Sequence, residues 1–176
     1  MPELNSLTPC FFTDERAKRF QPLTLTRPLD DLRVGIFTIR EKWMHALQSD
    51  TFCRLLDPHL KGVFEQKSHP DNTSCLWINA RFLPSQKLLT AIENLSEGEL
   101  LTFKKVPVAA LPVQNHSVEM FTENRFEAAD FSGIEIKESI HLEHLWDVLS
   151  LNAYEIEKDL PQTNLQPVSE NNLSPG

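Results

Sequence analysis

Apolar residues fall in short strand-length runs separated by stretches with helical spacing. Leu7–Phe12 gathers Cys10, Phe11 and Phe12 before Thr13 and Asp14 end the run, which predicts a first strand. Residues 13–34 read as loop, because Pro22 and Pro28 each remove a backbone donor and push the preceding residue toward extended geometry. A helix is predicted from about Gly35 to Gln48, with Ile36, Ile39, Trp43, Ala46 and Leu47 on one face.

Residues 49–73 are ambiguous: Thr51–Leu56 suits a strand or a helical turn, and Ser68–Ser74 a loop. Cys75–Asn79, CLWIN, is a compact apolar run of strand length. Pro84 and Ser85 introduce a helix with Leu88, Leu89, Ile92 and Leu95 inward and Gly98 just past its end. Leu100–Phe103 and Val106–Val113 read as strands, the second pushed toward a sheet edge by Pro107 and Pro112. Val118–Phe121 suggests another strand. A last helix is predicted from about Leu142 to Lys158, lined by Leu142, Leu145, Trp146, Leu149 and Ile156. Residues 161–176 form a polar, proline-bearing linker or tail. Strands alternating with helices over 7–160 predict one α/β domain.

Composition narrows the function classes. The 176 residues carry a net charge of −8, which argues against nucleic acid as a partner. The charge is uneven: residues 14–42 hold seven Lys/Arg against five Asp/Glu, a local +2. A small anionic ligand suits that stretch; a solvated charged face is the bland alternative. Nothing approaches the ~18 apolar residues of a membrane span, and the N-terminus MPELNSL is unlike a signal peptide, so a cytoplasmic protein is expected. Cys10, Cys53 and Cys75 form no CxxC pair and read as buried thiols.

The five glycines are scattered, which excludes a phosphate-binding loop or dinucleotide fingerprint. Any phosphate must then be held by side chains, and the planar fork of arginine suits that task. Asp30–Asp31 suits turn capping or pairing with Arg27 and Arg33 better than a cation site. His141 and His144 have zinc-compatible spacing without a third ligand and read as a helix-end surface pair. Trp77 and Trp146 lie in apolar runs and are expected in the core.

The run from Phe12 to Trp43 contains F-x-D-x-R, then P-L-T-x-T-R-P, then D-L-R-V-G-I-x-T-I-R-E-K-W. Together with Leu76–Leu101 and His144–Leu160 it resembles the sugar nucleotidyltransferase-like N-terminal domain of bacterial proteins similar to the bifunctional UDP-N-acetylglucosamine pyrophosphorylase/glucosamine-1-phosphate acetyltransferase. The resemblance covers roughly residues 9–160. It implies a reduced nucleotidyltransferase-like, Rossmann-like sheet with flanking helices, and transfer of a nucleotidyl group from an NTP to a hexosamine 1-phosphate. It further implies a left-handed β-helix acyltransferase-like half able to oligomerise, toward which residues 161–176 would lead. Two family features are replaced: the glycine-rich loop by Thr13–Phe20, and the Gly-Asp whose aspartate holds the metal by Ala80–Arg81. A catalytically degenerate nucleotide-sugar-binding or scaffolding domain is the alternative.

The expected site follows from the resemblance and the cation-rich stretch. Arg16, Arg27 and Lys42 are the candidate catalytic cations, Arg33, Asn79 and Arg81 the candidate substrate contacts. Asp14 is the candidate ligand for Mg²⁺. The partner is a nucleotide or sugar phosphate.

Overall fold

The computed structural model describes residues 4–64, 74–113, 120 and 123–163. Strand β1 is Leu7–Phe12. It is followed by three single 3-10 turns at Glu15–Phe20, Leu23–Leu25 and Leu29–Asp31, so the expected loop is a chain of tight turns. Helix α1 is Ile39–Leu47, four residues shorter at its start than predicted. Gly35 at φ +82° makes a turn there instead, and Thr38 caps the helix in a capping box with Glu41. Ile36 therefore lies in the turn and not on the helix.

Strand β2 is only Cys53–Arg54, β3 is Ser74–Asn79 and β4 is Phe82–Leu83. Helix α2 is Gln86–Glu93, capped by the Ser85 hydroxyl. The positive φ of Gly98 falls in the turn before β5, Glu99–Phe103, rather than at the helix end. Strands β6, Val106–Leu111, β7, Ser132–Glu135, and β8, Ile140–His141, complete the set. The predicted last helix is two short pieces, α3 at Asp147–Ser150 and α4 at Asn152–Asp159. The expected loop over 68–73, the strand at Val118–Phe121 apart from Met120, and the tail from 164 lie outside the described residues.

The six-stranded sheet has the order β2-β1-β3-β6-β5-β7. Strand β1 runs parallel to β2 and β3, β5 runs parallel to β7, and β6 runs antiparallel to β3 and β5. The fold is a mixed α/β sheet flanked by helices, consistent with a Rossmann-like nucleotidyltransferase. Strand β6 is central, against the edge position that its prolines predict. Its pairing to β3 covers only Ala109 and Ala110, so Pro107 lies beyond the end of that ladder and costs it no hydrogen bond.

Alternation along β1 and β3 separates two cores. Leu7, Phe11, Leu76 and Ile78 face the larger one, where Ile39, Trp43 and Leu47 of α1 pack with Leu88 and Ile92 of α2. Cys10, Phe12, Cys75 and Trp77 face the other, with Phe126 stacked on Phe12 at 3.7 Å. The three cysteines are buried thiols outside any disulfide, and burial pushes the Cys10 thiol up.

Strand β1 is flanked by β2 and β3, so the chain direction reverses across the sheet at this point. In open α/β sheets the crevice outside the carboxyl ends of such strands is where ligands bind.

Candidate functional site

Strand β1 delivers Thr13 and Asp14 to that crevice, and β3 delivers Asn79 and, two residues on, Arg81. Asp14 caps the 15–20 turn, its Oδ1 accepting from Arg16 N at 2.9 Å. Asn79 is fully buried and ties three segments together. Its Nδ2 donates to Asp14 Oδ2 and to Pro107 O, both at 2.9 Å, while its Oδ1 accepts from Arg81 N.

Arg81 is fully buried. Its Nε donates to both Asp14 oxygens, at 3.1 and 3.2 Å, and Nη2 donates to Asp14 Oδ2 at 2.7 Å. Its Nη1 reaches Leu142 O at 2.8 Å and Glu143 Oε2 at 3.2 Å. Burial raises the Asp14 carboxyl, but hydrogen bonds from Arg81 and Asn79, with the guanidinium charge, hold it below its usual range. Glu143 is drawn into the same cluster. Arg16 Nη1 lies 3.2 Å from each of its oxygens, and Arg19 Nη1 also donates to it.

Two cavities meet this cluster. One, of about 310 Å³, is lined by Asp14 together with Lys18, Thr24, Arg27 and His59. The other, of about 280 Å³, is lined by Arg16, Arg81, Phe103, Lys104, His141 and Glu143. His141 lies between the Phe82 and Phe103 rings, and burial lowers its pKa, aided by the Arg81 and Lys104 charges.

Of the predicted site residues, Asp14, Arg16, Asn79 and Arg81 come together, and Arg27 joins them through the larger cavity. Arg33 does not converge. It is exposed and donates to Ile36 O within its own turn. Lys42 is buried beneath the surface of α1, its Nζ 2.5 Å from Asp159 Oδ1 and 2.7 Å from Glu155 Oε2. Its charge is spent on joining α1 to α4. Of the four candidate arginines, Arg16 and Arg81 share the cluster, Arg27 lines the cavity beside it and Arg33 lies apart.

Two other pairings differ from expectation. Asp30 and Asp31 face Arg40 and Arg54, not Arg27 and Arg33. Trp146 is 62% exposed and stacks on His144 rather than entering the core.

The donors here do not fit a resident Mg²⁺. Both Asp14 oxygens already face a guanidinium, and a second cation beside Arg81 would be repelled. Among the described residues, no group of three His, Cys, Asp or Glu could hold a metal ion.

Glu143, Arg19 and Lys104 were not nominated from sequence. Glu143 sits between two histidines in a segment that reads as helix start, and nothing local marks it as a partner of Arg16, which is 127 residues away. Among the described residues, no helix is long and apolar enough to cross a membrane.

No curated protein matches the chain. The family described as sugar nucleotidyl transferase matches residues 9–166, which include most of β1, all of β3 and every residue of the cluster. The chain therefore belongs to the sugar nucleotidyl transferase family.

Proposed function

We propose that this domain transfers a nucleotidyl group from an NTP to a hexosamine 1-phosphate and releases pyrophosphate. The observation that carries this reading is the pair of cavities at the carboxyl ends of β1 and β3, joined by the Asp14–Arg81 ion pair and bordered by cations on both sides. The NTP occupies the larger cavity, where Lys18 and Arg27 meet its phosphates. The sugar phosphate occupies the smaller one, beside Arg16 and Lys104.

In the transfer, an oxygen of the sugar phosphate attacks the α-phosphorus of the NTP. A new P–O bond forms as the bond to the β-phosphate breaks, and the electron pair leaves with pyrophosphate. The protein's part is positioning and neutralisation of charge, which accounts for most catalysis of this type. Arg27 stabilises charge on the leaving side and Arg16 on the attacking side, while Asp14, Asn79 and Arg81 fix the wall between them. An NTP substrate places the reaction in the cytoplasm.

A second reading is favoured by one observation: Arg81 neutralises Asp14, the carboxylate that the cluster presents to the larger cavity. On that reading the domain binds a nucleotide sugar without turnover and serves a larger acyltransferase-like protein. Pyrophosphate release separates the two. Native protein given an NTP panel and glucosamine 1-phosphate should release pyrophosphate, and Arg27→Ala should lower that rate at least ~100-fold, the loss typical of one oxyanion-stabilising donor. A thermal shift with nucleotide sugars and no release from any NTP would leave the binding-only reading in its place.

A further inference from the structure

Glu143 sits where the ligand reading requires an anion. Its carboxylate faces Arg16, Arg19 and Arg81 and lines the smaller cavity. We propose that Glu143 is a built-in substitute for a substrate phosphate, and that a phosphomonoester entering this cavity must displace it. The proposal rests on the reading that the crevice takes a sugar phosphate.

The geometry distinguishes Glu143 from Asp14, the other carboxylate of the cluster. Asp14 is held by Asn79, by Arg16 N and by three contacts from Arg81, and its side chain is 17% exposed. Glu143 is held by guanidinium groups, with His141 Nε2 at 4.0 Å from its Oε2, and its side chain is 30% exposed. Two of those groups are themselves open to solvent: Arg16 is 41% and Arg19 43% exposed. They can turn toward a ligand once the carboxylate leaves. Arg81 stays in place, because Asp14 and Leu142 O hold it independently of Glu143.

The segment that carries Glu143 is a single short turn between two elements. Strand β8 ends at His141 and α3 starts at Asp147. Between them, Glu143 N and His144 N both donate to Asp147 Oδ2 at 2.7 Å. One carboxylate thus sets the position of the turn. Leu142, fully buried, anchors its other end through Leu142 N to Arg81 O at 2.8 Å.

The charges favour exchange. Arg16, Arg19 and Arg81 pair with Asp14 and Glu143, and Lys104 lines the same cavity, so four cations border two carboxylates. A phosphomonoester brings up to two negative charges and three strong acceptor oxygens where Glu143 brings one charge and two oxygens. With Glu143 in place, the same phosphate meets a like charge. The resident carboxylate keeps the cradle assembled in the empty protein and lowers apparent affinity by the fraction of time it occupies the cradle.

Isothermal titration with inorganic phosphate tests this on the full chain. Glu143→Gln keeps the side-chain shape and removes the charge, so it should bind phosphate about tenfold tighter, as expected if Glu143 fills the cradle some nine-tenths of the time. Adding Arg16→Gln should erase the gain. Asp147→Ala, which loosens the turn without touching the cradle, should give a smaller gain of the same sign, and it keeps the test open should Glu143→Gln fail to fold. Equal or weaker phosphate binding in the folded charge-removing variant, or binding in neither protein, would overturn the proposal. The transfer reading is tested apart from this: pyrophosphate release by the native protein stands or falls whatever Glu143→Gln does to phosphate affinity.

Discussion

Arg81 and Asp30 illustrate two fates of a buried charge. Arg81 has a hydrogen-bonded partner for its donors on both sides, and Asp14 stays ionised with it. Asp30 is equally buried but poorly served. Arg54 Nη2 lies 3.2 Å from its Oδ2, yet that oxygen accepts no aligned hydrogen bond, and Asp31 adds a like charge. Burial therefore raises the Asp30 carboxyl from 3.8 to about 6, against the pull of Arg54 and Arg40. A folded-state pKa above the unfolded value means that the folded protein holds the proton more tightly. The stability this confers is complete below about pH 4 and is lost as pH rises through 6. Relative to Asp30→Asn, the native protein should lose about 3 kcal/mol between pH 4 and pH 7, the worth of a shift of roughly two pH units. Urea unfolding of both proteins across that range reads the difference directly; a difference independent of pH would contradict the assignment. Single residues were legible in the sequence where strand ends carry them. Arg16, Asn79 and Arg81 flank apolar runs and could be placed at a sheet end. Glu143 could not, because its meaning comes from arginines more than sixty residues away.

The last helical stretch, α3 and α4, shows how a segment can mislead when its hydrophobic pattern is read alone. Periodicity assigns Trp146 and Leu149 to an inner face, but they are 62% and 78% exposed, while Glu155 and Asp159 are buried. The helix docks through its carboxylates. Asp159 accepts Ile36 N at 2.9 Å and Lys42 Nζ, and Asn152 accepts Gly35 N at 2.9 Å. A side chain on Gly35 would put its Cβ 2.6 Å from Asp159 Oδ2 and 2.8 Å from the Glu155 carbonyl carbon, so this close approach requires glycine. The G-I of the V-G-I run and the K of E-K-W are thus parts of one helix-docking device. Replacing Lys42 by Met leaves Asp159 buried without its cation and Glu155 with only Lys158, 3.6 Å away, and breaking such a pair costs about 3–5 kcal/mol. Urea denaturation of Lys42→Met should show that loss; a change under ~1 kcal/mol would mean that Lys42 does not hold α4. Strands were easier to read than this helix, since β1 and β3 are buried on both faces and stand out as short, nearly continuous apolar runs.

Across the whole molecule, the α/β class and the placement of the crevice follow from the order of runs along the chain. The position of β6 does not. Its prolines argue for an edge strand, and only the short two-residue pairing with β3 reconciles Pro107 with a central place. That placement has a functional consequence, because it brings the Pro107 carbonyl to Asn79 and closes the wall between the cavities. The sheet, the Asp14–Asn79–Arg81 wall and the two cation-bordered cavities together make the case for nucleotidyl transfer between two phosphate ligands. Phosphorus-31 NMR of the native protein mixed with glucosamine 1-phosphate and each NTP in turn follows both products at once. With one NTP, the account predicts paired diphosphate resonances of a nucleoside diphosphate sugar growing in step with pyrophosphate. Unchanged spectra with every NTP, or phosphate release without the paired resonances, would contradict it.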